Sequence, residues 1–190
     1  YNRLFFSTDI NDSIKKSDII FICVGTPTKN NKADLKYVFK VINNIKKNLN
    51  KYKVIVTKST VPVTTGDKIE ALLNSKKNKN KFNVVSNPEF LREGEAIRDF
   101  LYPDRVVIGT ESKKANNIMK NLYIPIIKKR SRYFQTSRRA AELIKYASNA
   151  FLATKISYIN EIANLCEKSD IDIKEVSSGI GLDQRIGERF

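Results

Sequence analysis

The amino-acid sequence predicts an α/β fold in which a parallel sheet is followed by one long helix. Apolar runs at residues 19–24, 54–57 and 82–85 are typical of buried strands, and polar or turn-forming residues follow each of them. From Ser137 onward the chain has no glycine or proline until Gly179, and apolar residues recur at helical spacing. This pattern predicts a helix of about 30 residues, which is longer than most helices of globular proteins.

The remaining elements alternate between helical and strand patterns, as such a sheet requires. Asp34 opens an amphipathic helix, and Thr64 and Thr65 are expected to cap the helix that follows them. Asp104 and Arg105 are interpreted as a pair that fixes the turn before a strand. Further helices are predicted at residues 66–73, 96–100, 112–122 and 172–178, and further strands at 106–110 and 133–136.

The composition is typical of a globular protein from a reducing compartment. A hydrophobic content of 41% suffices for a core, and no apolar run approaches the ~18 residues that span a bilayer. The first residues lack the layout of a signal peptide, so we expect a cytoplasmic protein with no membrane partner. Cys23 and Cys166 lack metal-ligand or disulfide spacing and are interpreted as core residues. The absence of histidine excludes catalysis or metal binding through imidazole, and we expect no metal.

The strong positive charge leaves nucleic-acid binding as a distant alternative function. The formal net charge is +15, a basic balance that is common in proteins that bind nucleic acids. Here, however, the lysines are scattered through predicted loops and helix faces and do not alternate with aromatic residues along one element. We therefore expect no nucleic-acid partner and interpret the charge as a solvated surface whose field attracts nucleotide anions.

The residues best suited to chemistry follow the predicted strands. Ligands of open parallel sheets bind beyond the carboxyl ends of the strands. The stretch SNPEFLREG at residues 86–94 places Glu89, Arg92 and Glu93 around a proline turn, a combination that suits a polyhydroxylated, anionic ligand. An ordinary turn, whose glutamates favour the amino end of a helix, explains the same residues equally well.

Three other groups of residues are also ambiguous when taken alone. Residues 25–28 offer a glycine and threonine hydroxyls that can reach phosphate or ribose oxygens, as in a cofactor site. Ser59 and Thr60 end the second strand, but their hydroxyls can equally cap the next helix. Lys145 and Asn149 lie one turn apart on the long helix, where residues of these types normally face solvent.

Six stretches together resemble the UDP-glucose 6-dehydrogenases of the UDP-glucose/GDP-mannose dehydrogenase family. They are VGTPT at 24–28, KSTVPV at 58–63, SNPEFLREG at 86–94, PDRVVIGT at 103–110, the helix at 142–168 and GIGLDQRIG at 179–187. The resemblance covers nearly the whole chain. It implies that residues 1–136 form the C-terminal portion of a Rossmann-like, NAD-binding domain, and that residues 137–190 form a central helical domain that makes a homodimer.

The resemblance also assigns roles to individual residues. It implies that acid/base chemistry and the positioning of water fall to Thr60, Glu89, Lys145 and Asn149. The residues implied to hold a nucleotide sugar are Glu89, Phe90, Leu91, Arg92, Glu93, Lys145 and Asn149, with Arg185 reaching the site from the partner subunit. The residues implied to contact NAD are Val24, Gly25, Thr26, Pro27, Thr28, Ser59, Thr60 and Glu93.

The reaction implied by the resemblance is a twofold oxidation of UDP-glucose to UDP-glucuronate that uses two NAD and a nucleophilic cysteine. These 190 residues contain neither a GxGxxG turn, which grips the pyrophosphate of NAD, nor the GGSCFPKD-like motif of that cysteine. Cys23 and Cys166 are not expected to replace it, because both lie in apolar patterns. We therefore expect this chain alone to be inactive. A non-catalytic remnant of a dehydrogenase gene is the alternative, and GDP-mannose or a UDP-N-acetylhexosamine is an alternative substrate.

Overall fold

A computed structural model describes residues 3–127 and 132–188 of the chain. The helices in these ranges are α1 (Ile10–Lys16), α2 (Lys36–Asn48), α3 (Thr65–Leu73), α4 (Ala96–Leu101), α5 (Lys113–Tyr123), α6 (Arg138–Lys168) and α7 (Ile173–Gly181). The strands are β1 (Ile19–Ile22), β2 (Thr28–Lys29), β3 (Lys32–Ala33), β4 (Lys53–Thr57), β5 (Phe82–Ser86), β6 (Arg105–Gly109) and β7 (Arg132–Thr136). The predicted elements are thus all present, with bounds that differ by a few residues.

The main sheet has five strands in the order β1-β4-β5-β6-β7. Strands β1, β4 and β5 are parallel, and β6 and β7 are parallel to each other. The predicted α/β fold with a mostly parallel sheet and a long helix is therefore confirmed. The difference is that β6 runs antiparallel to β5 and pairs with it only at Ser86 and Gly109. Two parallel neighbours need a crossover connection, usually a helix that packs on the sheet. The short helix α4 between β5 and β6 buries none of its residues, so it does not form such a crossover.

Each face of the sheet has its own apolar cluster, because side chains alternate along the strands. On one face, Ile55 and Val84 pack with α2 and α3. On the other face, Val54, Val56 and Val85 pack with α5.

The first strand is less buried than the sequence predicts. Strand β1 lies at the edge of the sheet, and Phe21 in it is 37% exposed. The strand ends at Ile22, so Cys23 lies beyond it and is exposed. The interpretation of Cys23 as a core residue is therefore wrong, whereas Cys166 is buried as expected.

The chain divides into two compact units, residues 1–145 and 146–190. The first unit contains the sheet and the start of α6, and the second contains the rest of α6 and all of α7. Helix α7 continues through Gly181, three residues beyond the predicted end at residue 178, and so takes up the start of the GIGLDQRIG stretch. No helix within the described ranges is long and apolar enough to cross a membrane.

Candidate active site at the carboxyl edge of the sheet

The carboxyl ends of β1, β4 and β5 meet at one edge, and backbone hydrogen bonds join the loops that leave them. The amides of Lys58 and Ser59 both donate to the carbonyl of Ile22. The amide of Asn87 donates to the carbonyl of Thr57 at 2.9 Å. The three loops that the sequence indicated as ligand-binding are therefore held side by side, as the rule for open parallel sheets predicts.

Glu89 and Lys145 form an ion pair at this edge. The Lys145 ammonium lies 2.8 Å from Glu89 Oε1, and the two side chains are 8% and 30% exposed. Glu89 Oε2 accepts a hydrogen bond from the amide of Leu91 at 2.6 Å. Burial alone would raise the pKa of Glu89, but the bonds from Lys145 and Leu91 and the nearby charge of Lys58 lower the pKa below its ordinary value. The lowered pKa favours the ionised form of Glu89 in this pair.

A small cleft beside this ion pair contains the predicted threonine. The residues that line it are Thr57, Ser59, Thr60, Val61, Ser86, Pro88, Glu142 and Lys145. The carbonyl of Thr60 accepts a hydrogen bond from Thr26 Oγ1 at 2.8 Å, which ties the Thr60 loop to the loop after β1. The cleft has a volume of about 10 Å³, which is room for about one water molecule, and its hydroxyl and ammonium groups can hydrogen-bond to such a water.

A second lysine, Lys58, lies on the α5 side of this edge. Its ammonium approaches the carbonyl and side-chain oxygens of Asn87 at 3.4 and 3.5 Å. Burial lowers the pKa of Lys58, and the charge of Lys145 adds to the effect. Asn87 also accepts a hydrogen bond from the Tyr123 hydroxyl at 2.5 Å and donates to the carbonyl of Val107 at 2.9 Å. These buried contacts fix the turn that carries Glu89.

Sequence reasoning missed two charged residues near the site. Glu142 lines the cleft, and nothing in its spacing distinguishes it from the other polar residues of α6. Arg105 lies with its guanidinium 4.0 Å from the centre of the Phe90 ring, because the antiparallel start of β6 returns to the turn after β5. The interpretation of Arg105 as only a turn residue is therefore incomplete, and only the strand direction could have corrected it.

Other residues of the SNPEFLREG stretch make local contacts. The backbone amide and guanidinium of Arg92 both bind Asp99, with distances of 2.7 to 3.0 Å. This contact joins the turn to α4. Leu91 and Glu93 are exposed. The substrate roles of Leu91, Arg92 and Glu93, and the cofactor role of Glu93, stay predictions.

Two family models match the chain. One describes the NAD-binding domain of the UDP-glucose/GDP-mannose dehydrogenase family and matches residues 1–127. The other describes the central domain of the same family and matches residues 139–190. The chain belongs to the UDP-glucose/GDP-mannose dehydrogenase family. The predicted division into domains at residues 1–136 and 137–190 is not tested by these matches and stays a prediction.

Individual members of the family are similar along the whole chain. The UDP-glucose 6-dehydrogenase of Rickettsia felis is 50% identical over 190 residues, which are 100% of this chain and 42% of that protein. A UDP-glucose 6-dehydrogenase of Bacillus subtilis is also 50% identical, over 99% of this chain and 41% of its own length. The chain thus spans less than half the length of the curated relatives that it matches.

Solved structures of the same family have the same fold. A UDP-glucose dehydrogenase from the hyperthermophilic archaeon Pyrobaculum islandicum superimposes with a TM-score of 0.92 and 37% identity, over 98% of this chain and 44% of that chain. A GDP-mannose dehydrogenase from Pseudomonas aeruginosa gives a TM-score of 0.87 and 32% identity, over 93% of this chain and 42% of its own.

The cofactor of this family is NAD, and the loop after β1 is predicted to contact it. Val24 is half-buried, whereas Gly25, Pro27 and Thr28 are exposed. A side chain at Gly25 would meet nothing within 4 Å, so the turn is open. The Ser59 hydroxyl donates to the carbonyl of Val24 at 2.6 Å, which fixes the loop. An open turn with fixed hydroxyls suits the polar groups of a dinucleotide.

Two further predicted site residues, Asn149 and Arg185, belong to the second compact unit. Asn149 is an exposed residue of α6, four positions after Lys145. Arg185 is exposed, and its guanidinium pairs with Asp183 at 2.6 Å. The roles of both residues stay predictions.

Proposed function

We propose that this chain is part of a nucleotide-sugar dehydrogenase that oxidises UDP-glucose to UDP-glucuronate in two NAD-dependent steps. The observation that carries the proposal is the Glu89–Lys145 ion pair beside Thr60 at the carboxyl edge of the sheet. Identity of 50% to UDP-glucose 6-dehydrogenases favours UDP-glucose over GDP-mannose or a UDP-N-acetylhexosamine.

The charges of the ion pair suit oxidation of an alcohol at C6 of the sugar. The ammonium of Lys145 can donate a hydrogen bond to the oxygen as it loses its proton, and so stabilises the developing alkoxide. Because the pKa of Glu89 is lowered, this residue is an acceptor at neutral pH and can hold the sugar hydroxyl or a water. The Thr60 hydroxyl can complete this set of hydrogen bonds. When bound, NAD supplies the hydride acceptor.

The cofactor and substrate residues of the first unit extend on both sides of the ion pair. The loop after β1, with Ser59 and Thr60, would hold the part of NAD that reaches the sheet edge. Glu89 and Phe90 would hold the sugar nucleotide from the β5 side, with Arg105 adding positive charge for its phosphates. These assignments rest on the meeting of the three loops at one edge.

The second unit supplies the proposed dimer contact. Apolar side chains on α6, such as Phe151 and Leu165, are exposed in the single chain at 65% and 60%. Exposed apolar faces of this kind commonly mark interfaces between subunits. In a homodimer formed through α6, Asn149 and the partner's copy of Arg185 would complete the site. We further propose a cytoplasmic location and no nucleic-acid or membrane partner.

Calorimetric titration of UDP-glucose into the purified chain tests the proposal. Wild-type protein is expected to bind weakly, and Lys145→Met is expected to weaken binding by about tenfold or more, because hydrogen bonds to charged groups contribute about 1.5–3 kcal/mol. Lys120→Met, at an exposed position of α5, is the matched control and should bind as wild type. No binding by wild type, or equal binding by Lys145→Met, would contradict the proposal.

Two further assays separate the alternatives. Steady NADH formation from UDP-glucose and NAD is not expected from these 190 residues, and formation above that of a Lys145→Ala control would show that they suffice for turnover. Binding to random-sequence DNA with a steep salt dependence would favour the nucleic-acid alternative, since counterions are released when phosphates are neutralised.

A further inference from the structure

The first two turns of α6 carry three charged residues on one buried face. Arg138, Glu142 and Lys145 occupy positions i, i+4 and i+7. Counted as whole residues, with backbone and side chain together, they are 7%, 3% and 6% exposed. Charged side chains are rarely this buried unless they are paired. Lys145 pairs with Glu89, and Arg138 pairs with acidic residues of α3 and with Glu111. Glu142 is different, because its two shortest hydrogen bonds are with backbone amides.

Glu142 caps the amino end of α3 from outside that helix. Its Oε2 accepts a hydrogen bond from the amide of Thr64 at 2.7 Å, and its Oε1 accepts one from the amide of Gly66 at 2.7 Å. The side chain of Thr64 makes no capping bond, and Thr65 Oγ1 donates to the carbonyl of Pro62. Thr64 thus occupies the N-cap position, but the expectation that the threonine side chains cap the helix is wrong, and the carboxylate of Glu142 accepts from the free amides instead.

The close approach of Glu142 depends on a glycine. A Cβ atom at Gly66 would lie 3.1 Å from Glu142 Oε1 and 3.3 Å from Arg138 Cδ. Such distances are shorter than ordinary van der Waals contacts. The absence of a side chain at position 66 thus lets the carboxylate reach the amide that it binds.

The same carboxylate also contacts the strand that leads to Glu89. The Ser86 hydroxyl lies 3.4 Å from Glu142 Oε1, and Ser86 is the last residue of β5. Glu142 therefore touches the loop that carries Thr60, through Thr64, and the strand that leads to Glu89. Lys145 lies less than one turn further along α6. One side chain thus connects the three segments that bring Thr60, Glu89 and Lys145 together.

We propose that Glu142 is the positioning residue that sets Lys145 against Thr60 and Glu89. The proposal deepens the function proposed above and rests on it for its link to catalysis. It differs from a purely stabilising role in one measurable respect. A stabilising contact can be removed without changing the surroundings of Lys145 in the folded protein, whereas a positioning contact cannot.

Competitive acetylation of lysines, read by mass spectrometry of the peptide that contains Lys145, measures those surroundings directly. In wild type, the ion pair with Glu89 and burial should make Lys145 react more slowly than an exposed lysine such as Lys120. In Glu142→Gln, an NH₂ group faces one of the two amides, so one hydrogen bond is lost. Loss of a bond of about 1 kcal/mol is expected to raise the rate at Lys145 about fivefold.

Glu70→Gln is the matched control for general loosening of α6. It weakens one partner of Arg138, on the same helix face, but leaves the carboxylate of Glu142 in place. We expect it to lower stability while Lys145 reacts at the wild-type rate. Equal rates in wild type and Glu142→Gln would overturn the proposal, as would an increase in Glu70→Gln as large as that in Glu142→Gln.

A second variant and a binding measurement complete the test. If Glu142→Gln does not fold, Glu142→Asp, which keeps the charge but is one methylene shorter, should show a smaller increase at Lys145, and no increase overturns the proposal. Where wild type binds UDP-glucose, Glu142→Gln should bind it about fivefold more weakly, from the same lost bond, and equal affinity contradicts the inference. Failure of wild type to bind UDP-glucose would contradict the proposed function alone, because the acetylation rates decide the position of Lys145 without substrate.

Discussion

Replacing Gly109 by alanine should force the start of α6 away from the sheet. A Cβ atom at this position would lie 2.5 Å from Ala141 Cβ, 2.7 Å from the carbonyl oxygen of Ser137 and 2.9 Å from Arg138 Cα. Real Cβ atoms essentially never approach other atoms this closely, and two of the three contacts are with backbone, which cannot rotate away. The helix must therefore shift, and Lys145 lies just one turn beyond Ala141.

The expected cost lies near the upper end of the usual range for overpacking, at about 3 kcal/mol. For a chain of this size, that loss corresponds to a melting temperature lower by about 6–12 °C. Thermal unfolding followed by circular dichroism measures it. Gly179→Ala is the control, because a Cβ there meets nothing within 4 Å and alanine favours the helix α7. A Gly109→Ala protein that melts at the wild-type temperature would refute the reasoning.

Two other predictions follow from titratable groups. Burial raises the pKa of Tyr123 to about 12, so the free energy of unfolding should fall as pH rises from about 10 to 12, because the unfolded tyrosine ionises first. Urea denaturation of Tyr123→Phe, which also loses about 1 kcal/mol with the bond to Asn87, should show a shallower fall over this pH range. A fall as steep as that of wild type would contradict the prediction. The pKa of Glu89 is lowered, so its contribution to stability should be present above the ordinary carboxylate pKa and lost as pH falls through the lowered value. In Glu89→Gln, the free energy of unfolding should therefore fall less steeply at acid pH than in wild type. An equal fall in both proteins would exclude a stabilising pair with Lys145.

Much of the fold and part of the site could be predicted because they depend on local patterns. Apolar runs that end in polar turns indicated the strands, and the carboxyl-edge rule then indicated that Thr60 and Glu89 lie near each other. The absence of glycine and proline after Ser137 indicated the long helix, and the Ser137 hydroxyl does accept a bond from the amide of Ala140. These features follow from residues that are close in the sequence.

The features that could not be predicted depend on how distant segments pack. Strand β6 is apolar whichever way it runs, so the sequence gives no sign that Arg105 returns to Phe90. The cap that Glu142 provides to α3 joins residues more than 70 positions apart, and threonines at the expected cap positions suggested a local solution. Cys23 continues an apolar run, yet pairing of β1 ends one residue earlier and leaves the thiol exposed.

Titration of UDP-glucose into ¹⁵N-labelled protein shows residue by residue whether the carboxyl edge of the sheet binds a nucleotide sugar. Amide shifts are expected at residues 58–60, at residues 87 and 89–93 and at Lys145, with no comparable shifts in the lysine-rich loop at residues 74–81. Shifts confined to that loop would mean that the positive charge alone attracts the nucleotide. That result, or a spectrum unchanged by UDP-glucose, would show that the carboxyl edge of the sheet is not a nucleotide-sugar site.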